Sequence, residues 1–370
     1  MLRALARIDL AAIERNCAQV ARVAAPAALC AVVKADGYGH GDVPAARAAL
    51  AGGARWLAVA TAPEAAALRA GGIGGPVLVM GALSADELTI ALRARADLVA
   101  WREAFVAAVA VHPDAEGTGV HVKLDTGMGR LGTRDAGEAS RTAAAAAAAP
   151  RLRLAGVMTH CATADDDPAF ARAQLARFAP WAQAMRAAHG DLVLHAANSA
   201  ATLGIPESRL DMVRCGIAVY GMDPFGEDPA RHGLAPALEL RSYVAEVKPI
   251  AAGESAGYGR RFVAAAPTWI GTLPLGYADG VRRALTNDCD VLVGGRRVPL
   301  VGAVSMDNLT VDLGPEPAER GAEAILIGAQ GSERVLAEEW ARRLGTINYE
   351  ITCGISARVP RSYHRGGTPA

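Results

Sequence analysis

The chain has 370 residues, enough to bury a large core and to make two domains. Its 38 Lys and Arg balance 38 Asp and Glu, and no basic block marks a nucleic-acid surface. No apolar run reaches the roughly 20 residues of a membrane span. The N-terminus carries Arg7 and Asp9 where a secretory signal has a continuous apolar core, and six cysteines fall without metal-ligand spacing. The expectation is a cytoplasmic enzyme with free thiols, no metal, and no nucleic-acid or membrane partner.

In chain order the first strong signal is the stretch 28–41, ALCAVVKADGYGHG. Ala31-Val32-Val33 is apolar enough for a buried strand, Lys34 ends it, and glycines at 37, 39 and 41 turn the chain away. A lysine at the mouth of a buried strand is partly desolvated. That favours its neutral amine, the form that makes a Schiff base with an aldehyde. A stem along the strand end with its ammonium in water is the plainer alternative. Composition argues for chemistry: only Lys34, Lys123 and Lys248 are lysines among 38 cations, and arginine cannot supply a neutral amine.

Strands are predicted at 29–34, 56–61, 77–81, 97–101, 119–125, 153–159, 192–196 and 212–217, with alanine-rich helical stretches such as 86–96 and 168–189 between most of them. Eight βα units over about 200 residues predict a closed (β/α)8 TIM barrel. A doubly wound sheet would carry GxGxxG after its first strand, and GYGHGD does not fit that spacing. The acidic triplet 165–167 reads as a solvated turn, and 221–236 reads as a linker. Beyond it, strands predicted at 238–247, 268–273, 290–293, 298–304, 309–313 and 324–327, with one helix over 336–344, make a mostly β second domain. The predicted division is 1–235 and 236–370.

A barrel places its chemistry just past the C-terminal ends of its strands. Lys34 stands there after the first strand, and Lys123, Asp125 and Arg130 after the fifth. Thr159 and His160 follow the sixth, Asn198 and Ser199 the seventh, and Arg214, Gly216 and Ile217 close the eighth. Barrel enzymes often take phosphate on the loops after the last two strands. Ser199 offers a hydroxyl there, and the Gly216 and Ile217 amides can approach an anion because Gly216 has no side chain.

The stretches AVVKADGYGHG, KLDTGMGRLG, MTHCATAD, NSAAT, MVRCGIAVYG, AGYGR, LPLGYADG, VSMDNLTVDL and INYEITCGISARVPR follow one another along nearly the whole chain. Together they are similar to the pyridoxal-phosphate-dependent alanine racemases, a family built from a barrel and a β domain. The resemblance implies that Lys34 carries pyridoxal 5'-phosphate as a Schiff base and, once released, is one of two catalytic bases. It implies phosphate contacts from Tyr38, Ser199, Gly216, Ile217 and Tyr349, and an Arg214 that faces the pyridine nitrogen with His160 behind it. An arginine there keeps its proton, so the ring is a weaker electron sink than with a carboxylate partner. That suits racemisation by limiting side reactions.

By the same resemblance Tyr258 is the second base, a phenolate favoured by the nearby cation of Arg130, which also meets the substrate carboxylate. Met306 and Asp307 supply backbone to that carboxylate. Tyr277 narrows the entrance, and Asp279 and Arg283 line its outer channel. Lys123 matches a lysine that some members carry as a carbamate that holds Arg130; a plain Lys123–Asp125 pair is the alternative. In the family the second-domain tyrosine reaches the partner's site, which implies a homodimer with shared active sites. The implied reaction interconverts L- and D-alanine, for peptidoglycan supply or alanine catabolism. Alternatives are a racemase of other or broader specificity (serine, lysine), a barrel-type decarboxylase, and a cofactor carrier, which lacks a second domain. The chain departs from the pattern at Cys161 (commonly aromatic), Ser305 (often Cys) and Ala303 (Arg in many members).

Overall fold

The apolar runs become strands where both of their faces can be covered. The computed structural model describes residues 2–370, and the chain divides into two units. The chain opens with strand β1 (Leu5–Asp9) and helix α1 (Leu10–Ala24). Eight parallel strands then close into a barrel: β2 (Ala28–Val32), β3 (Trp56–Val59), β4 (Val77–Val79), β5 (Asp97–Ala100), β6 (Thr118–Lys123), β7 (Leu152–Met158), β8 (Val193–His195) and β9 (Met212–Cys215). Closure is made by β9 pairing β2, with Cys30 opposite Arg214. Side chains buried on both faces explain why these strands read as unbroken apolar runs. All eight lie where the sequence predicts them, within a residue or two at most ends.

Capping fixes where the barrel helices begin. Thr61 with Glu64, and Ser84 with Glu87, form reciprocal capping boxes at the starts of helices Ala62–Ala70 and Ala85–Arg93. The acidic triplet 165–167 is not merely a solvated turn. The Asp167 carboxylate accepts the Phe170 amide at 3.1 Å and caps helix Pro168–His189.

The second unit comprises the segments up to Ala12, Tyr220–Arg231 and Ala235–Ala370. Its strands are β10 (Leu238–Tyr243), β11 (Glu246–Ile250), β12 (Ser255–Ala256), β13 (Phe262–Val263), β14 (Thr268–Leu273), β15 (Asp290–Val293), β16 (Arg296–Val301), β17 (Leu309–Gly314), β18 (Glu323–Gln330), β19 (Glu333–Val335), β20 (Arg361–Arg365) and β21 (Thr368–Pro369). The sheet order runs β11-β14-β17-β16-β15-β18-β10-β1-β20-β21, so the N-terminal strand lies in the C-terminal sheet between β10 and β20. The run expected as one strand over 238–247 is two, broken at Val244 and Ala245.

The segment 221–236 is not a free linker. Its Asp223 amide donates to Glu338 Oε1 at 3.0 Å, and Asn348 Nδ2 donates to the Asp223 carbonyl at 2.7 Å. Asp228 pairs with Arg334 further along. Side chains in helices Ala337–Leu344 and Asn348–Cys353 thus hold the first part of the segment to the sheet unit.

Candidate active site

Lys34 leaves β2 into an unusual turn. Ala35, Asp36, Gly37 and Tyr38 all have positive φ, between 52° and 59°, and Gly39 follows at 84°. Four consecutive left-handed residues make a left-handed helical turn, which costs on the order of 1–2 kcal/mol for each residue with a Cβ. Local bonds hold it. Glu64 Oε1 accepts the Ala35 amide at 2.7 Å, while Oε2 accepts the Ala60 and Thr61 amides at 2.8 and 3.0 Å. Asp36 Oδ1 accepts the Asp42 amide at 3.1 Å. The buried His40 ring donates from Nδ1 to the Gly37 and Tyr38 carbonyls, 3.0 Å away in each case. Lys34 is half-buried at the start of this turn, and Tyr38 at its end is buried.

The turn delivers Tyr38 to the loops after β8 and β9. Ser199 Oγ accepts the Gly216 amide at 3.1 Å and the Ala218 amide at 3.4 Å. A Cβ on Gly216 would collide with the Tyr38 hydroxyl. Tyr38, Ser199, Gly216 and the buried Ile217 therefore converge at the barrel mouth. The Tyr38 and Ser199 hydroxyls, beside backbone left open by the missing side chain of Gly216, can form a cradle for an anion.

Arg214 is 2% exposed and has no carboxylate within ion-pair distance among the described residues. Its Nη2 donates to the Thr159 carbonyl at 2.8 Å, to His160 Nδ1 at 3.0 Å and to the Ala196 carbonyl at 3.1 Å. Its Nη1 donates to His195 Nδ1 at 2.7 Å. Its Nε is buried without a partner. Burial pushes the guanidinium down to about 10. Burial, then the charges of Arg214, Lys123, Arg130 and Lys34, hold His160 well below its ordinary value, so the ring is neutral. Four cations thus gather on one histidine, a setting that favours an anionic ligand.

Lys123 is 4% exposed, and burial followed by Arg214 and Arg130 pushes its ammonium down to about 8. The simple pair with Asp125 is absent. Asp125 instead accepts the amides of Gly127, Met128 and Gly129 at 2.8–3.1 Å, and Arg134 Nε at 3.1 Å. The loop so organised carries Arg130 into an exposed position.

In the sheet unit, Tyr258, Tyr277, Arg283, Ala303, Ser305, Met306 and Asp307 line an open cleft of about 550 Å³. Tyr258 is 74% exposed, Met306 52% and Tyr277 41%. The Tyr277 and Ala278 amides donate to the Ser305 and Met306 carbonyls at 3.0 and 3.1 Å, which ties the two loops together. Asp307 pairs with Arg358 at 2.7 Å. Asp279, expected along an outer channel, is fully buried. It binds Arg3 and accepts the Gly276 amide at 3.0 Å, so it braces the Tyr277 loop from behind. Tyr349 lies half-buried in helix Asn348–Cys353 of the same unit.

Sequence reasoning missed Glu64, His195 and His121. Glu64 looks like an ordinary capping-box partner. The two histidines stand in apolar strands, where a lone ring reads as packing. The composition does carry a faint signal, since the chain has only eight histidines and two of them fall within barrel strands.

Two family models match in succession, "Alanine racemase, N-terminal domain" over residues 8–224 and "Alanine racemase, C-terminal domain" over residues 237–363. Among curated relatives, alanine racemase of Frankia casuarinae is 42% identical, over 98% of this chain and 96% of its own length. That of Thermobifida fusca is 44% identical over 97% of each. Among solved structures, alanine racemase from D-cycloserine-producing Streptomyces lavendulae has a TM-score of 0.93 at 38% identity, covering 99% of this chain and 98% of its own. Alanine racemase from Bacillus anthracis with bound L-Ala-P has a TM-score of 0.90 at 36% identity, covering 100% of this chain and 97% of its own. Identity at this level through both halves, on the same fold, makes the chain a member of the alanine racemase family of isomerases.

Proposed function

We propose that this chain interconverts L- and D-alanine with pyridoxal 5'-phosphate, using two bases that face each other across the substrate. The observation that carries the reading is the Arg214 Nε, buried at the barrel mouth with its proton unclaimed. An aromatic ring nitrogen fits that donor, and the cradle of Tyr38, Ser199, Gly216 and Ile217 fits a phosphate. When bound, pyridoxal phosphate supplies the electron withdrawal that makes the α-proton of an attached amino acid removable.

The chain's own residues do the rest. Lys34 would hold the cofactor through its Nζ, and that same Nζ, when free, would take or return a proton on one face of Cα. Tyr258 does the same at its hydroxyl oxygen on the other face. Arg214 donates Nε–H and keeps its proton, even with its basicity reduced by burial, which restrains charge build-up in the ring. Arg130 and the Met306 backbone orient the substrate carboxylate, with Asp307 held beside it by Arg358. Tyr349 completes the phosphate contacts, and Tyr277 restricts the entrance to small side chains.

The enzyme acts as a homodimer with shared sites, each Tyr258 serving the partner's Lys34. The 74% exposure of Tyr258 in the single chain supports this, because a base that removes a weakly acidic proton works best where water is excluded. Lys123 is carried as a carbamate. Its burial, its lowered basicity and its place between Arg130 and Arg214 favour turning a cation into an anion there. The six free thiols suit a cytoplasmic setting.

A chiral assay tests the reaction. Protein with added pyridoxal phosphate should bring L-alanine to a near-equal mixture of enantiomers far faster than L-serine, L-lysine or L-arginine. If another amino acid leads, the substrate assignment falls, and the departures at Cys161 and Ala303 become the place to look.

A further inference from the structure

Arg214 is a buried cation, and a line of side chains through the barrel interior stands against its charge. His195 Nδ1 lies 2.7 Å from Arg214 Nη1. Arginine only donates, so this nitrogen accepts and the His195 proton sits on Nε2. That Nε2 lies 2.9 Å from His121 Nδ1, which accepts in turn, so the His121 proton also sits on Nε2. His121 Nε2 has no hydrogen-bond partner and lies 3.7 Å from Asp97 Oδ2, a charge–dipole contact. Every N–H in the line points away from Arg214 and towards Asp97. A second proton on either ring would set two donors against each other. Burial, Arg214 and His121 hold His195 well below its ordinary value, which agrees with a neutral ring.

The barrel is shaped around this line. Between β6 and β8 it passes β7 at Gly156, which pairs in register with His121. A Cβ there would lie 2.7 Å from His121 Nδ1. On β6, a Cβ at Gly119 would collide with the Asp97 carboxylate, whose Oδ1 accepts the Gly119 amide at 3.1 Å. Two strand interiors therefore give up side chains where the line needs room. Trp56 meets the His121 ring edge-on, with centroids 5.6 Å apart, and limits its tilt.

We infer that Asp97 is the remote counter-ion of Arg214, acting through His121 and His195, and that this relay keeps the guanidinium charged with its Nε turned to the cofactor ring. The inference rests on the cofactor site proposed above. Asp97 is the first residue of β5, at the N-terminal rim of the barrel, where side chains ordinarily serve stability alone. It touches neither substrate nor cofactor and is a positioning residue. The carboxylate charge polarises the His121 N–H that faces it, and the aligned hydrogen bonds beyond polarise one another, so a change at Asp97 is felt at the guanidinium.

The test uses apoenzyme labelled with ring-15N histidine, with Asp97→Asn and Arg153→Gln as variants. In the unsubstituted protein at pH 7, His121 and His195 should both be neutral Nε2–H tautomers. In Asp97→Asn the Gly119 amide keeps its Oδ1 acceptor and an NH2 group faces His121. His121, whose Nδ1 still accepts from His195, should keep its Nε2–H tautomer, but its Nε2 15N resonance should shift as the facing carboxylate charge is lost, and the affinity of apoenzyme for pyridoxal phosphate should fall about ten-fold. Arg153→Gln removes only the exposed partner of Asp97, at 3.5 Å, and should change neither readout. A His195 that is an imidazolium or an Nδ1–H tautomer in the unsubstituted protein overturns the relay, whether or not any variant folds. So does an Asp97→Asn protein that melts earlier with unaltered histidine 15N resonances and affinity. The tautomers are read without cofactor or substrate, so a failed racemisation assay would remove the proposed reaction and leave this result standing.

Discussion

At Lys123 a cation is buried among cations, with its nearest carboxylate, Asp125, engaged by three amides and Arg134. Its folded-state value is pushed down to about 8, below the ordinary lysine range. In buffer free of bicarbonate, where the amine is unmodified, the unfolded chain binds the extra proton between those values, so stability should rise as pH climbs through that window, and Lys123→Met should remove the slope. Carbon dioxide reacts with the neutral amine, so bicarbonate at pH 8 should raise the melting temperature of the unsubstituted protein by about 1–2 °C, the effect of roughly 1 kcal/mol in a chain of this size. The Lys123→Met protein should not respond. Equal melting with and without bicarbonate in both proteins would remove the carbamate.

The second residue-scale prediction concerns direction. Tyr258→Phe should slow α-proton exchange in deuterated water at least 100-fold from L-alanine and far less from D-alanine, because Lys34 still serves the other face. Equal slowing of both enantiomers would contradict two distinct bases. The motifs around Lys34 and Tyr258 are legible in the sequence, and the proposed pairing of the two rests on the resemblance those motifs carry. His195, His121 and Asp97 were not, because a hydrogen-bond line across a barrel joins residues up to about a hundred positions apart in the chain and leaves no local pattern.

The element that sets the site is the left-handed turn after β2. Glycines at 37, 39 and 41 marked a turn in the sequence, yet its hand was hidden, because Ala35, Asp36 and Tyr38 also adopt positive φ. Such strain persists only where neighbours over-determine it. Exposed Ala35, at φ 52°, should be relieved by Ala35→Gly, with a gain of about 0.5–1 kcal/mol in urea unfolding. Glu64→Ala should cost about 2–3 kcal/mol and slow borohydride trapping of the cofactor on Lys34, since three amides, one of them the Thr61 amide of the helix cap, lose their acceptor at once. Glu64→Gln, which keeps an acceptor, should cost less. An unchanged unfolding midpoint in Glu64→Ala would mean that the turn holds itself. The barrel strands were legible for the opposite reason: each is apolar on both faces, and that signal is local.

At the scale of the whole molecule, the sheet unit draws on both ends of the chain. β1 pairs with β10 and β20, and a five-residue strand reading LARID carries no sign that its partners lie more than two hundred residues away. Arg3 adds a tie from the same N-terminal arm to Asp279 behind the Tyr277 loop. Arg3→Ala should therefore leave the buried Asp279 without its main cation and loosen the cleft, seen as a raised KM for alanine at little change in the barrel's cofactor affinity. An unchanged KM would make the arm purely structural. In the proposed dimer, the barrel of one copy holds the cofactor and the sheet of its partner brings the second base, so one functional site would need two copies of the chain.

Subunit complementation is the most direct measurement of that claim. Lys34→Ala and Tyr258→Ala proteins, each inactive alone, would be mixed in equal amounts under conditions of proven subunit exchange. Half of the dimers are then hybrids, each with one site holding both bases, so about a quarter of the unsubstituted activity should return. A mixture that exchanges subunits and stays inactive would contradict shared sites and, with them, the two-base arrangement proposed for this chain.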